Sequence, residues 1–327
     1  MSESIKRIGV LTSGGDSPGM NAAIRSVVRK AVFEGIEVRG IMRGYAGLID
    51  GEIIKMNSRS VSNILSRGGT ILKTARSEEF MTKEGQEKAV KVVKENGIDA
   101  LVIIGGNGSF QGAHILHKDW GVTNIGIPGT IDNDVGYTDY TVGAHTAVHT
   151  VLDAVDKIRD TVTSMERIYV IEVMGRKEPY IAVRSGLACG AEEVLYPGSK
   201  VDIDEIAVEI KEAEKRGKRS WIIIVSEGYC SAHELVGKIK EKTGYSVRGI
   251  TLGHIQRGGS PLAPDRILAS AMGACAVSAL IEGNSDMAVG IKGFKLHLIP
   301  YEKACFEREK DRELDRELYS LTKLLAT

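Results

Sequence analysis

The stretch Ile8-Gly9-Val10-Leu11-Thr12-Ser13-Gly14-Gly15-Asp16-Ser17-Pro18-Gly19, followed by a helical pattern over 20–33, decides the fold. The apolar run at 8–11, closed by a glycine-rich turn, reads as a buried strand. The helix after it stops near Gly35, a suitable C′ residue. Strand, glycine turn and helix form an arrangement suited to anions. Glycines let backbone N–H groups approach phosphate oxygens, and the helix start adds partial positive charge. The same turn also serves as a plain connection in many α/β proteins. Two better-known variants are absent. No GxxxxGK[ST] occurs, which excludes a P-loop NTPase. Neither a GxGxxG nor an acid closing the next strand, at 36–41, is present, which disfavours a dinucleotide-binding dehydrogenase.

The unit recurs. A strand at 100–104 runs into Gly105-Gly106-Asn107-Gly108-Ser109 and a helix towards His117. Three glycines in four residues cost backbone entropy, which suits a close approach to the main chain as well as a tight turn. The run 125–127 then leads into Pro128-Gly129-Thr130-Ile131-Asp132-Asn133-Asp134. In an extended segment Thr130, Asp132 and Asp134 project to one side, at the carboxyl end of a strand, where open α/β sheets bind ligands. Two carboxylates so spaced suit work on a hydroxyl: one takes its proton, the other orients it or faces a metal ion. Asp132 and Asn133 equally suit an Asx-type turn. A further glycine turn, Ser66-Arg67-Gly68-Gly69-Thr70, leads towards Arg76.

Helical patterns cover 85–95, 142–159, 201–215, 232–242 and 265–281, with strands at 167–173, 221–226, 247–252, 287–291 and 294–299 and a helical tail at 301–325. This alternation implies mostly parallel sheets covered on both faces. A chain of 327 residues accommodates two such α/β domains. Arg167, Arg176, Arg248 and Arg257 lie in or beside strand–loop junctions, with His254 near one of them; together they are donors suited to a phosphomonoester. Glu227, at a strand end, can accept from sugar hydroxyls.

Formal net charge is zero, so no bulk field favours nucleic acid or an anionic membrane. The opening Met1-Ser2-Glu3-Ser4 has no signal-peptide pattern, and no uncharged apolar run is long enough to span a bilayer. Cys189, Cys230, Cys275 and Cys305 form no CxxC and read as core thiols of a cytoplasmic protein in a reducing compartment.

Five stretches in order, residues 9–16, 105–109, 128–134, 174–176 and 253–261, make the whole chain resemble bacterial ATP-dependent 6-phosphofructokinase. The resemblance implies α/β architecture of two doubly wound, mostly parallel-sheet domains: 1–141 plus 256–305 binding ATP, and 142–255 plus 306–327 binding fructose 6-phosphate. It implies transfer of the ATP γ-phosphate to the sugar 1-hydroxyl, with Mg²⁺ and with Asp132 as base beside Thr130, Asp134 and Arg176. It implies ATP contacts from Gly15, Arg76, Ser77, Gly106, Asn107, Gly108 and Ser109. For fructose 6-phosphate it implies Thr130, Asp132, Met174, Gly175, Arg176, Glu227, His254 and Arg257, with Arg167 and Arg248 reaching in from a neighbouring subunit of a homotetramer. An effector site for ADP or phosphoenolpyruvate is implied at Arg25, Arg29, Arg59, Arg159, Gly190, Glu192, Arg216 and Lys218, with Ser58 replacing a family arginine.

Pyrophosphate-using relatives carry larger residues where Gly108 and Gly129 stand, so ATP is the expected donor. Asn107 replaces the family's Mg²⁺-associated aspartate; an amide oxygen can face a hard cation but lacks the charge. The expectation is low turnover or a raised Mg²⁺ requirement, unless Asp132, Asp134 or a water compensates. The alternative reading is a catalytically weak paralogue that binds sugar phosphate as a regulatory subunit. Pro179 replaces a family glycine and sits where a helix's first turn tolerates it.

Overall fold

The computed structural model describes residues 5–306 and 312–326. In chain order its first elements are β1 (Arg7–Thr12), α1 (Met20–Phe33), β2 (Glu37–Ile41), α2 (Gly44–Asp50), β3 (Ile53–Met56), α3 (Lys83–Glu95), β4 (Ala100–Gly105), α4 (Asn107–Trp120) and β5 (Thr123–Pro128). Next come α5 (Ala144–Met165), β6 (Ile168–Val173), α6 (Tyr180–Cys189), β7 (Glu193–Leu195), α7 (Ile203–Lys215), β8 (Trp221–Ser226), α8 (Ala232–Thr243) and β9 (Val247–Thr251). The last are α9 (Ala263–Ile281), β10 (Met287–Lys292), β11 (Lys295–Pro300), α10 (Tyr301–Phe306) and α11 (Arg312–Leu325). Of the expected tail helix, residues 307–311 lie outside the described residues.

Two compact units form, one of Met1–Thr146 with Arg257–Lys310 and one of Ala147–Gln256 with Asp311–Thr327. The first crossing lies five residues beyond the expected 141/142. The physical reason is local: Val142 N–H donates to the Pro128 carbonyl at 2.8 Å. Gly143 and Thr146 N–H donate to the buried Asp265 carboxylate at 2.9 and 2.8 Å. These bonds hold 142–146 to the first unit.

The first unit's sheet has the order β11-β10-β5-β4-β1-β2-β3, with antiparallel pairs only at its two edges. Period-two alternation sorts the side chains: Val102 and Ile104 enter the core beneath α1 and α9, whereas Leu101 and Ile103 enter the core on the other face. From β1 the chain proceeds to β2 and β3 on one side, then to β4, β5 and β10 on the other. The switch between β1 and β4 is where such sheets open a binding crevice at their carboxyl ends. The second unit's sheet, β7-β8-β6-β9, is parallel throughout. Its switch lies between β6 and β9.

Three short elements carried no sequence signal: α2, β3 and β7. α2 has only seven residues, two of them glycine; it is closed by Arg43, which pairs with Asp50 and Glu52 at 2.7 and 2.6 Å. α3 starts two residues before its expected place because Thr82 caps it, accepting from Gly85 N–H at 3.1 Å. α9 is long and apolar enough by composition to cross a membrane, yet half of that window is buried within the protein and it carries Asp265 and Arg266.

In the second unit, Glu193 of β7 is 2% exposed and fastens α11. It accepts from Tyr319 Oη at 2.9 Å and Lys323 Nζ at 2.8 Å; Lys323 also reaches Glu209 at 2.7 Å. Glu193→Ala is expected to cost about 2–3 kcal/mol, less than a fully buried pair would because Lys323 keeps Glu209. Urea unfolding of the two proteins checks this.

Candidate active site

A cleft of about 440 Å³ opens at the β1/β4 switch of the first unit. Gly15, Arg76, Ser77, Gly106, Asn107, Gly108, Ser109, Thr130, Asp132, Asp134 and Arg257 all line it. Hydrogen bonds between separate segments bring several of them there. The Thr74 hydroxyl donates to the Gly14 carbonyl at 2.7 Å, which brings the 74–77 segment against the first glycine loop. Ser109 and Phe110 N–H donate to the Gly106 carbonyl at 2.9 and 3.1 Å and start α4. Gly129 N–H donates to the Gly105 carbonyl at 2.9 Å, joining the Thr130 loop to the β4 end. Arg257 Nη1 donates to the Asp16 carbonyl at 3.1 Å. A Cβ on Gly15 would stand 2.4 Å from that Nη1, so a larger residue there would push the guanidinium aside.

The two donor-discriminating glycines differ. A Cβ at Gly108 meets nothing within 4 Å, so the space beside it is open. At Gly129 a Cβ would press on Ile104 Cγ2 at 3.1 Å and Met20 Cε at 3.2 Å. A side chain at Gly129 would therefore have to displace core side chains by a few tenths of an ångström, and open space beside the cleft is found only at Gly108 of the two.

The Thr130–Asp134 segment is not the extended run expected. It bends at 131–132, Asn133 is left-handed at φ 48°, and Asn133 Nδ2 donates to the Asp139 carbonyl at 3.0 Å. The three side chains share the cleft because the loop folds back, not because a strand alternates. Asn107 Nδ2 donates to the Asp134 carbonyl at 2.9 Å and to its Oδ2 at 3.0 Å. The remaining oxygens, Asn107 Oδ1 and Asp134 Oδ1, are buried without a hydrogen-bond partner. Among the described residues no three His, Cys, Asp or Glu side chains gather as a metal-binding group. Mg²⁺ needs fewer, since it keeps several waters and binds through one or two carboxylates plus substrate phosphates; the two orphaned oxygens fit it. Behind them Cys305 lies 3.7 Å from the Asn107 carbonyl. Burial, then the nearby Asp134 and Asp286 carboxylates, push its thiol up to about 12, so it stays protonated and unreactive.

Sequence reasoning missed the apolar end of the cleft. Tyr45 stacks on Phe80, ring centroids 4.0 Å apart, and donates its hydroxyl to the Ser109 carbonyl at 2.6 Å. Phe80, Met81, Gly112 and Ile115 complete that wall. No local pattern in the sequence marks these residues; the structure leaves Met81 79% exposed beside them.

In the second unit, Met174 N–H donates to the fully buried Gln256 Oε1 at 3.1 Å. Gln256 Nε2 holds the Gly253 carbonyl at 3.0 Å, next to His254. Ser226 Oγ donates to the Gly175 carbonyl. Arg176 Nε lies 3.5 Å from Glu227 Oε1. Met174, Gly175, Arg176, Glu227 and His254 thus follow the carboxyl ends of β6, β8 and β9. Arg167 and Arg248 do not join them. Ile168 pairs with Val247 and Tyr169 with Arg248, which places both arginines at the amino ends of β6 and β9. A strand rises about 3.3 Å per residue, so they stand roughly 20 Å from Met174.

Of the effector-matching residues, Arg25 and Arg29 lie on α1, and Arg59 follows β3, where its N–H donates to Asn57 Oδ1 at 2.8 Å. In the second unit Arg159 donates to the Cys189 and Gly190 carbonyls. Lys218 pairs with Glu192 at 3.3 Å and donates to the Ala326 carbonyl at 2.8 Å. Arg216 ends α7, and Pro179 caps the start of α6.

A phosphofructokinase family profile matches residues 7–280, and the chain belongs to that family. It is 52% identical over 322 residues to the ATP-dependent 6-phosphofructokinase of Halalkalibacterium halodurans, covering 98% of this chain and all of that one. It is 50% identical to the Clostridioides difficile protein of the same name over the same shares. Among solved structures, Saccharomyces cerevisiae phosphofructokinase superposes with a TM-score of 0.85 at 34% identity; the match covers 98% of this chain and 48% of that one. A pyrophosphate-dependent phosphofructokinase from Nitrosospira multiformis gives 0.86 at 20% identity, covering 98% and 92%, and shows the common fold.

Proposed function

We propose that this protein transfers the γ-phosphoryl group of ATP to the 1-hydroxyl of fructose 6-phosphate, giving ADP and fructose 1,6-bisphosphate. The observation that carries this reading is the shared cleft: Asp132 lines the same crevice as Gly15, the 106–109 loop and the start of α4. The triphosphate lies against those glycines and the α4 N-terminus, where N–H groups and the helix dipole favour anions. Arg76 adds fixed charge, Arg257 at the same cleft is assigned to the fructose 6-phosphate, and the nucleoside occupies the wall of Tyr45, Phe80 and Ile115.

Asp132 accepts the 1-hydroxyl proton as that oxygen bonds to the γ-phosphorus. The bond from γ-phosphorus to the β–γ bridging oxygen breaks, and its electron pair leaves with ADP. Most of the rate comes from positioning and charge neutralisation. Mg²⁺, held with the phosphates by the Asn107 and Asp134 oxygens, would supply neutralisation. The sugar phosphate is held by Met174, Gly175, Arg176, Glu227 and His254 in the second unit. Arg167 and Arg248 act on a neighbouring subunit's substrate, a reading supported by their place at the opposite ends of the strands, which implies a homotetramer or at least a dimer. Effector binding is assigned to the Arg25, Arg29, Arg59, Arg159, Gly190, Glu192, Arg216 and Lys218 group, with ADP or phosphoenolpyruvate as the anion. Cooperativity unchanged by saturating ADP would show that site to be vestigial.

A coupled assay with ATP or pyrophosphate as donor, over a Mg²⁺ series, tests the reaction. Turnover with ATP alone is expected. Pyrophosphate turnover would overturn the donor assignment, and no turnover with either would favour the regulatory paralogue, whose support is Asn107. The shared site has its own test. Asp132→Asn and Arg248→Ala proteins, each nearly inactive, are expected to regain partial activity when dissociated and reassembled together; no recovery would place Arg248 outside the site.

A further inference from the structure

We infer that Asn107 closes the joint between α4 and the Thr130–Asp134 loop with hydrogen bonds, so that the nucleotide-free cleft needs no metal ion to hold its shape. The inference rests on the phosphoryl-transfer reading only for the cation's relevance; the joint itself is geometric. Asn107 is the first residue of α4, and its single amide nitrogen satisfies both the Asp134 carbonyl and Oδ2, at 2.9 and 3.0 Å. This bidentate contact ties a helix start to a loop that is otherwise bent and left-handed at Asn133.

An aspartate at 107 has the same size but no donor. One of its oxygens would take the place of Nδ2 and face two acceptor oxygens at about 3 Å. Like charges so close repel strongly where water is excluded. Such a joint would close only around a cation. In this chain the amide replaces that cation as the fastener, and the loop carries one negative charge fewer. The two orphaned oxygens, Asn107 Oδ1 and Asp134 Oδ1, remain as one amide and one carboxylate acceptor without a hydrogen-bond partner. They are a weak pair for a free divalent ion, because ligand charge governs affinity for hard cations. The ion therefore arrives with the nucleotide's phosphates, not before them. Asn107 is a positioning residue: it sets where Asp134, and through the same loop Asp132, stand before substrate binds.

The test compares wild type, Asn107→Asp and Asn107→Ala, without nucleotide, by thermal melting in EDTA and in excess Mg²⁺, and by Mn²⁺ titration followed by EPR. Wild type is expected to melt at the same temperature in both conditions. Asn107→Asp should melt roughly 4–8 °C lower in EDTA and recover with Mg²⁺. It should also bind Mn²⁺ about 10–100-fold more tightly than wild type. Asn107→Ala should lose stability and recover none with Mg²⁺, which separates the joint from ordinary packing. Wild type stabilised by Mg²⁺ as much as Asn107→Asp, or Asn107→Asp as stable as wild type in EDTA, would overturn the inference. If Asn107→Asp folds in neither condition, Asn107→Ala decides: no loss of stability in EDTA refutes the joint. None of these readouts needs turnover, so failure here leaves the role of Asp132 standing, and an active Asp132→Asn protein would leave the joint standing.

Discussion

Asp132→Asn is expected to lower kcat by about 10²–10⁴-fold while the protein keeps its fold and its affinity for both substrates. Asparagine has the same shape and occupies the same bend, so the cleft keeps its lining. What it lacks is a basic oxygen to take the 1-hydroxyl proton as the bond to phosphorus forms. A loss confined to kcat marks an interaction made only in the transition state, whereas a rise in KM alone would mark simple binding. Steady-state kinetics with ATP and fructose 6-phosphate, beside a thermal melt of the same preparation, separate the two. A folded variant turning over at the wild-type rate would remove Asp132 from the chemistry.

The largest expected effect on stability belongs to Asp265, a residue outside the five motif stretches. Its side chain is fully buried in the first turn of α9. It accepts Gly143 N–H at 2.9 Å, Thr146 N–H at 2.8 Å and the Thr146 hydroxyl. Burying a carboxylate is costly unless it is well hydrogen-bonded, and here the starts of α5 and α9 supply the compensation. Asp265→Ala leaves two buried backbone donors without an acceptor. We expect a loss of about 3–5 kcal/mol, read as a lower denaturant midpoint with an unchanged m-value. Asp265→Asn should lose less, because its carbonyl oxygen still accepts one of the donors. An Asp265→Ala protein as stable as wild type would mean that water replaces the carboxylate at no cost.

Both residues bear on how much the chain disclosed before it folded. The alternation of apolar runs, glycine turns and amphipathic stretches was enough to read mostly parallel sheets covered on both faces and the loops at their strand ends; the two doubly wound domains came from the resemblance to phosphofructokinases. Those signals are local, because a strand's burial, a glycine's freedom and a helix's stop are written within a few residues. The cleft lining was legible for the same reason: Gly15, the 106–109 loop and Asp132 each sit at a strand's carboxyl end. The antiparallel edge strand β3 and the short α2 and β7 carried too few residues to show a period. The Tyr45–Phe80 wall was hidden because its residues lie 35 positions apart and meet only after α2 is closed by Arg43.

The sequence by itself determined the order of strands and loops, and with it the chemistry on offer: one carboxylate suited to a hydroxyl, glycine loops suited to phosphates, and arginines suited to a phosphomonoester. Only the tertiary structure decided two things. Asp132 faces its cleft through a bend and not through strand alternation. Asn107, which on paper looks like a missing charge, is bonded twice to Asp134. The physical reason is common to both: side-chain hydrogen bonds between residues that are not chain neighbours set direction and distance, and no local periodicity encodes them.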